Sequence, residues 1–180
     1  MAKTWLSIRV DLVHGRGEDF WPRPGRIFAA ARTHTFQQLA DAINLAFGRW
    51  DFSHLSEFVV GDGTRISHAD PFYDPPEDTV EVRTAKLSRL QLGEQFAYTF
   101  DFGDAWQHLC TVGPERVDPD EVYGGQPNRP VPYWGWGTLP DQYGRRWAED
   151  DLESAVPPDP QGADLPPILP EWRWRREYPQ

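Results

Sequence analysis

The sequence predicts an α+β domain: a mainly antiparallel sheet with hairpins packed against one main amphipathic helix, and aromatic-rich C-terminal loops. Three observations lead to it. Leu6, Ile8, Val10 and Leu12 alternate with Trp5, Ser7, Arg9 and Asp11, the two-residue period of a half-buried strand. Phe36, Leu39, Ala40, Ile43, Ala46 and Phe47 recur at helical intervals, which places them on one face of a helix. The run FAYTFDFGDAWQH, residues 96–108, sets alternating rings beside Gly103-Asp104, the turn chemistry of a tight hairpin.

The chain opens with a strand over residues 4–13. After a polar, proline-bearing loop, RIFAAART is the second strand. Thr35 and Gln38 have capping-box spacing at the head of the helix, and Gly48 stands where a C-terminal stop belongs. Two short strand-like runs flank Gly61-Asp62-Gly63 in HLSEFVVGDGTRIS, a second hairpin signal. DPFYDPPEDT is loop, since its prolines and acids accommodate neither period. VEVRTA resumes strand character, KLSRLQLGE is a short helix or turn, and QFAYTFDF with WQHLCTV makes the aromatic hairpin. From Gly113 onward proline, glycine and acids dominate, and YGGQPNRPVPYWGWGTLPDQYGRRW has no sustained period; it reads as an ordered loop packed by its own aromatics. AVPPDPQGADLPPILP is proline-rich and extended, and EWRWRREYPQ ends the chain in rings and cations. The expected division is a domain over residues 1–148 and a proline-rich acidic tail over 149–180, closed by that aromatic and basic cluster.

With 180 residues, 39% of them hydrophobic, and nine Trp, the chain carries enough bulky apolar groups to bury a core against the entropy of ordering. A net charge of -10 works against nucleic acid and anionic membrane, which both require a basic footprint. Residues 101–164 hold thirteen acids against four arginines, so a cationic partner would be met by this half. Cys110 is the only cysteine, which excludes an intrachain disulfide and a Cys-based zinc site; its place in the alternating WQHLCTV makes it a small core residue. No apolar run reaches the roughly 20 residues that span a bilayer, and the first residues lack the apolar centre of a signal peptide. A cytoplasmic location is expected.

Two registers are open for the aromatic hairpin. Phe96, Tyr98, Phe100 and Phe102 form a ladder of rings on one strand face. With a two-residue Gly103-Asp104 turn, Phe102 pairs with Ala105 and Thr99 with His108, which sets Asp101, Trp106 and His108 on the face opposite the rings. With a three-residue loop, Trp106 and His108 join the rings and Asp101 stays outside. Turn chemistry favours the first and amphipathicity the second, and a slip of one residue exchanges the faces.

YTFDFGDAWQH closely resembles the Tyr-x-Tyr-Asp-Phe-Gly-Asp-x-Trp-x-His signature of the plasmid pRiA4b ORF-3-like family, which includes proteins labelled as passenger proteins of an insertion element. TFQQLADAINLAFGRWDFSHLSEFVV is similar to that family's upstream helix, Trp-bearing turn and His-Leu-x-x-Phe strand, and GWGTLPDQYG is similar to its downstream glycine- and proline-bearing element. The blocks stand in the family's order across residues 4–148. The resemblance implies a compact α+β domain and plasmid or mobile-element biology, and it assigns no chemistry. The chain departs from the pattern after Trp147, and it carries Gln142-Tyr143 where an acid and Cys are common.

Asp101, Trp106 and His108 are the hairpin residues that a tight turn and a ring-lined core do not by themselves require. Trp50, Trp134 and Trp136 lie in or beside loops held by Gly and Pro. These six form a candidate binding set, because rigid surface aromatics are preferred anchors and acidic neighbours favour a protein or basic-peptide partner. His54, Asp101, Asp104 and His108 are nitrogen and oxygen donors of the kind that hold a divalent ion, and such an ion would activate water or polarise a phosphoryl group. The sequence has no nucleophile elbow, Walker loop or dinucleotide fingerprint. The expected function is a binding or interaction module with no cofactor and no catalytic residue. The alternative, a metal-dependent phosphoesterase or nuclease, requires His54, Asp101 and His108 to converge in one cleft.

Overall fold

The computed structural model describes residues 4–70, 72, 75–145 and 150–155. Trp147 and most of the expected tail lie outside the described residues. One sheet is built from β1 (Trp5–Gly15), β2 (Glu18–Asp19), β3 (Gly25–Ala30), β4 (Ser56–Val59), β5 (Arg65–Ser67), β6 (Val80–Glu81), β7 (Gln95–Phe100), β8 (Trp106–Val117) and β9 (Val131–Trp136). The strands run in the order β6-β5-β4-β7-β8-β1-β3-β9, with β2 paired to β1. Among the described residues β5 pairs with β6 in parallel and the other pairings are antiparallel. The helices are α1 (Phe36–Ala46), a 3-10 turn over Leu87–Arg89, and α2 (Pro119–Val122). A mainly antiparallel sheet with few helices is therefore present, and no helix among the described residues is long and apolar enough to cross a membrane.

Thr35 caps α1: its Oγ1 accepts from the Gln38 N–H at 3.1 Å, and Gln38 Oε1 accepts from the Thr35 N–H at 2.9 Å, two orphan donors satisfied reciprocally. Phe36, Leu39, Ala40 and Ile43 of α1 and the following Phe47 share one buried cluster with Leu6, Ile8, Val10 and Leu12 of β1 and with Phe58, Phe96, Tyr98 and Phe100. The alternation read along the first strand is thus the alternation of a core-facing strand.

The structure departs from the sequence reading at four places. VEVRTA contributes only Val80–Glu81 as strand, because the Thr84 and Ala85 N–H groups turn back to the Glu81 carbonyl. β8 continues through Gly113-Pro114 to Val117, and its register against β1 shifts between Leu6 and Ile8; a proline fits at such an irregularity, where no ladder donor is needed. The stretch read as an aperiodic loop contains β9, which lies at one end of the sheet order, where an edge strand tolerates Pro132.

At the fourth place, the hairpin, the structure takes the register that amphipathicity favours but not the exposed Asp101 that went with it. Tyr98 pairs with His108 and Phe100 with Trp106, so Trp106 and His108 lie among the rings and the two-residue turn is excluded. The chain reverses over a wider bend in which the Ala105 N–H donates to the Asp101 carbonyl at 2.6 Å, with φ of 59° at Asp101 and 52° at Ala105. The ring ladder ends at Phe100; Phe102 is 39% exposed in the bend. Asp101 is buried rather than outside, its Oδ1 accepting from the Gly103 and Asp104 N–H groups at 3.0 and 3.3 Å.

Candidate functional site

The six residues of the candidate binding set fall in different environments. Leu12 pairs with His108 across β1 and β8, so His108, and with it Trp106, takes the core face of the sheet, where both are buried. On β9, Trp134 lies opposite Ile27 and Trp136 opposite Gly25, and Gly25 and Ile27 lie opposite Asp11 and Arg9. By strand alternation these groups take the other face. There Trp136 donates its indole N–H to the Arg23 carbonyl at 2.9 Å, and Arg9 covers its ring at 4.7 Å. The sheet itself separates Trp134 and Trp136 from Trp106 and His108. Trp50 and Asp101 lie elsewhere, where residues 49–55, the bend 101–105 and residues 139–145 meet.

That junction is held by polar bonds to half-buried and buried groups. Gln142, fully buried, accepts from the Trp50 and Asp51 N–H groups at 2.8 and 2.9 Å and donates to the Asp51 carbonyl at 2.8 Å. Asp141 accepts from the Trp50 indole at 3.2 Å and from the Arg145 side chain at 2.9 Å. Burial alone would raise the Asp141 carboxyl, but Arg145 and two backbone N–H groups hold it below the usual carboxylate range. The Tyr143 hydroxyl donates to Asp51 Oδ2 at 2.6 Å and lies 2.7 Å from His54 Nε2. Desolvation first, then that bond to Asp51, raises the phenol above its ordinary value, so Tyr143 acts here as a donor and not as a base. Ser53 first and Tyr143 second keep Asp51 ionised by donating to it. The Asp101 N–H donates to the Leu55 carbonyl at 2.8 Å, and Asp101 Oδ2 lies 3.5 Å from His54 Nδ1.

Around this junction Trp50, Phe52 and Phe102 remain 44%, 51% and 39% exposed. The Trp50 ring is edge-on to Tyr143 at 5.0 Å and carries the Arg145 guanidinium at 4.2 Å. Its orientation is therefore fixed on two sides while part of its surface stays open.

His108 has a different role. Its Nδ1 lies 3.1 Å from the Tyr98 carbonyl, which can only accept, so Nδ1 carries the proton and Nε2 receives the Arg49 Nη2 donor at 3.4 Å. Burial first and Arg49 second push the imidazole down to about 3, so it is neutral at pH 7. The four candidate metal ligands accordingly do not form one set: His54 approaches Asp101, whereas both ring nitrogens of His108 are engaged by Tyr98 and Arg49. Among the described residues no group of three or more His, Cys, Asp or Glu side chains is arranged to hold a metal ion. Cys110 is buried, and desolvation raises its thiol.

Arg49, Asp51, Phe52 and Asp141 carry no signal of motif or period, whereas Phe102 belongs to the ring alternation. Gln142 and Tyr143 fall in GWGTLPDQYG, the downstream block similar to the family's glycine- and proline-bearing element; Arg49 stands directly after Gly48.

A family model described as plasmid pRiA4b ORF-3-like protein matches residues 9–130. The match includes the helix, the 49–54 segment and the aromatic hairpin, and ends before β9. A crystal structure of a protein of unknown function from Methanosarcina mazei Go1 is similar at 24% identity with a TM-score of 0.48, over 73% of this chain and 65% of that one; the chain thus spans 65% of that protein's length. No curated protein matches the chain.

Proposed function

The chain belongs to the plasmid pRiA4b ORF-3-like family, and from that premise we propose that it is a non-catalytic binding module. Its scaffold, hairpins packed on one amphipathic helix, presents the rim of Trp50, Phe52 and Phe102 to a basic peptide segment of a partner protein. The observation that supports this is three exposed rings on segments tied together by the Gln142, Asp51, Asp101 and Asp141 bonds. The Trp50 ring, held by Tyr143 and Arg145, loses little rotamer freedom on binding, and the three rings supply contact area at an interface. The carboxylates of Asp51 and Asp104 beside them, within a chain of net charge -10, draw a cationic segment toward the rim.

Selection from a displayed random-peptide library tests it. The expected result is enrichment of Lys- or Arg-containing peptides with an apolar anchor, whose binding weakens as salt rises. Enrichment without basic residues, or binding indifferent to salt, contradicts the proposal.

A further inference from the structure

The rim brings exposed rings and carboxylates together. Trp50 and Phe52 are 44% and 51% exposed. The carboxylates of Asp51, Asp101 and Asp104 all raise the Tyr143 phenol electrostatically, and the Tyr143 ring stands edge-on to Trp50 at 5.0 Å. Asp104 forms no ion pair among the described residues. Of the cations nearby, Arg145 is bonded to Asp141, Arg16 packs on Gly144 and Arg49 is buried. Such a surface suits a segment that carries rings and positive charge together. The chain itself contains one. Trp172, Arg173, Trp174, Arg175 and Arg176 set two indoles and three guanidinium groups in five consecutive positions, and no other five-residue stretch of the sequence does so. These positions lie outside the described residues. The tether is long enough whatever course the intervening chain takes. Arg145 stands at the rim, the ten residues to Ala155 carry the chain at most about 36 Å away, and the seventeen from there to Trp172 reach about 56 Å.

Resting on the rim as the binding surface, we propose that residues 172–176 of the same chain are its resident ligand, which a partner's basic segment has to displace. Their indoles pack on Trp50 and Phe52, and their guanidinium groups meet Asp51 and Asp104. Tethering holds the segment at an effective concentration on the order of 1 mM. That exceeds the concentration of a second copy in micromolar protein, so the occupant is the chain's own segment. A sequence that binds at about 100 μM as a free peptide then fills about nine-tenths of the sites, and its loss opens the rim to competitors about ten-fold.

The Trp50 indole N–H, bonded to Asp141, reports occupancy in nitrogen-labelled full-length protein, with its signal assigned through Trp50→Phe. The parent is compared with the Trp172→Ser, Trp174→Ser double variant, whose changes lie outside the described core. The expected result is a displacement of the Trp50 signal between the two that shrinks as salt rises. The Trp136 signal, held by the Arg23 carbonyl on the other face of the sheet, stays in place. A synthetic peptide of residues 171–177 returns the variant's Trp50 signal toward the parent's, and a library-selected basic peptide binds the variant about ten-fold more tightly than the parent. Identical Trp50 signals in parent and variant, with equal affinity for the selected peptide, overturn the resident ligand and leave the rim standing as a binding surface. A selected peptide that moves Trp50 in neither protein contradicts the rim itself, and the resident ligand with it. A displacement that grows with protein concentration places the segment in a second copy and overturns docking within one chain.

Discussion

Gln142 is the side chain on which the junction most depends, because one carboxamide satisfies two N–H groups and one carbonyl of residues 50 and 51. Gln142→Ala removes these bonds from a fully buried position. It is expected to cost roughly 2–4 kcal/mol, read as a lower urea midpoint with an unchanged m-value. Gly15 is a second such point. A Cβ there would stand 2.1 Å from Trp106 Cε3, so the indole lies on a position only glycine can occupy. Gly15→Ala forces the ring or strand to shift and should cost about 1–3 kcal/mol; a variant of wild-type stability would show that the ring is not seated there. Neither residue was legible in advance. Gln142 lies in a stretch without period, and a glycine contacted by a distant ring looks in sequence like any strand-end glycine.

At the scale of elements, the bend between β7 and β8 tests how local chemistry and core packing divide the work. Asp101 adopts a positive φ and accepts two backbone N–H bonds. Asp101→Ala removes the one oxygen that accepts both N–H groups and places a residue without a polar side chain in the left-handed region, at a cost of about 1–3 kcal/mol. Asp101→Asn keeps a carbonyl acceptor and a residue that tolerates this conformation, and should lose less than about 1 kcal/mol. Equal losses in urea denaturation would contradict this role. Thr35→Ala should cost about 1 kcal/mol through the cap of α1.

The same elements show what the sequence could and could not carry. The helix was legible to its cap because period and capping chemistry agree over residues 35–48. The hairpin was legible as a hairpin but not in register, since Gly103-Asp104 argued for a tight turn and the rings for a common face. The structure follows the rings, because burying Trp106 and His108 with Tyr98 and Phe100 outweighs ideal turn chemistry. β9 was hidden by Pro132 and Gly135, which an edge strand tolerates. The metal donors looked close in sequence, yet a residue's face is fixed by register, and register placed His108 inside the core.

At the scale of the whole molecule, the buried imidazole couples stability to pH. The His108 pKa is depressed on folding to about 3, against about 6.5 in an unfolded chain, so the unfolded state binds the extra proton between these values. Stability is therefore full above pH 6.5 and falls as pH drops, by up to about 1.4 kcal/mol per unit from this one group. His34, lowered mainly by desolvation, adds a slope of the same sign. Between pH 6.5 and 4.5 most carboxylates remain ionised, so urea unfolding across that window isolates the histidines. His108→Gln should flatten the slope, and an unchanged slope would place the titration elsewhere.

At the junction Trp50, Phe52 and Phe102 stay partly exposed, while both faces of the sheet carry packed aromatics. The measurement that bears most directly on this is the affinity of a library-selected basic peptide for the Trp50→Ala, Phe52→Ala double variant, compared with the parent protein at matched melting temperature. A loss of at least about ten-fold, equivalent to about 1.4 kcal/mol, is the expected result, since two exposed anchors are removed without touching the core. Unchanged affinity in a variant that melts like the parent would place the binding surface elsewhere on the molecule and contradict the proposed function.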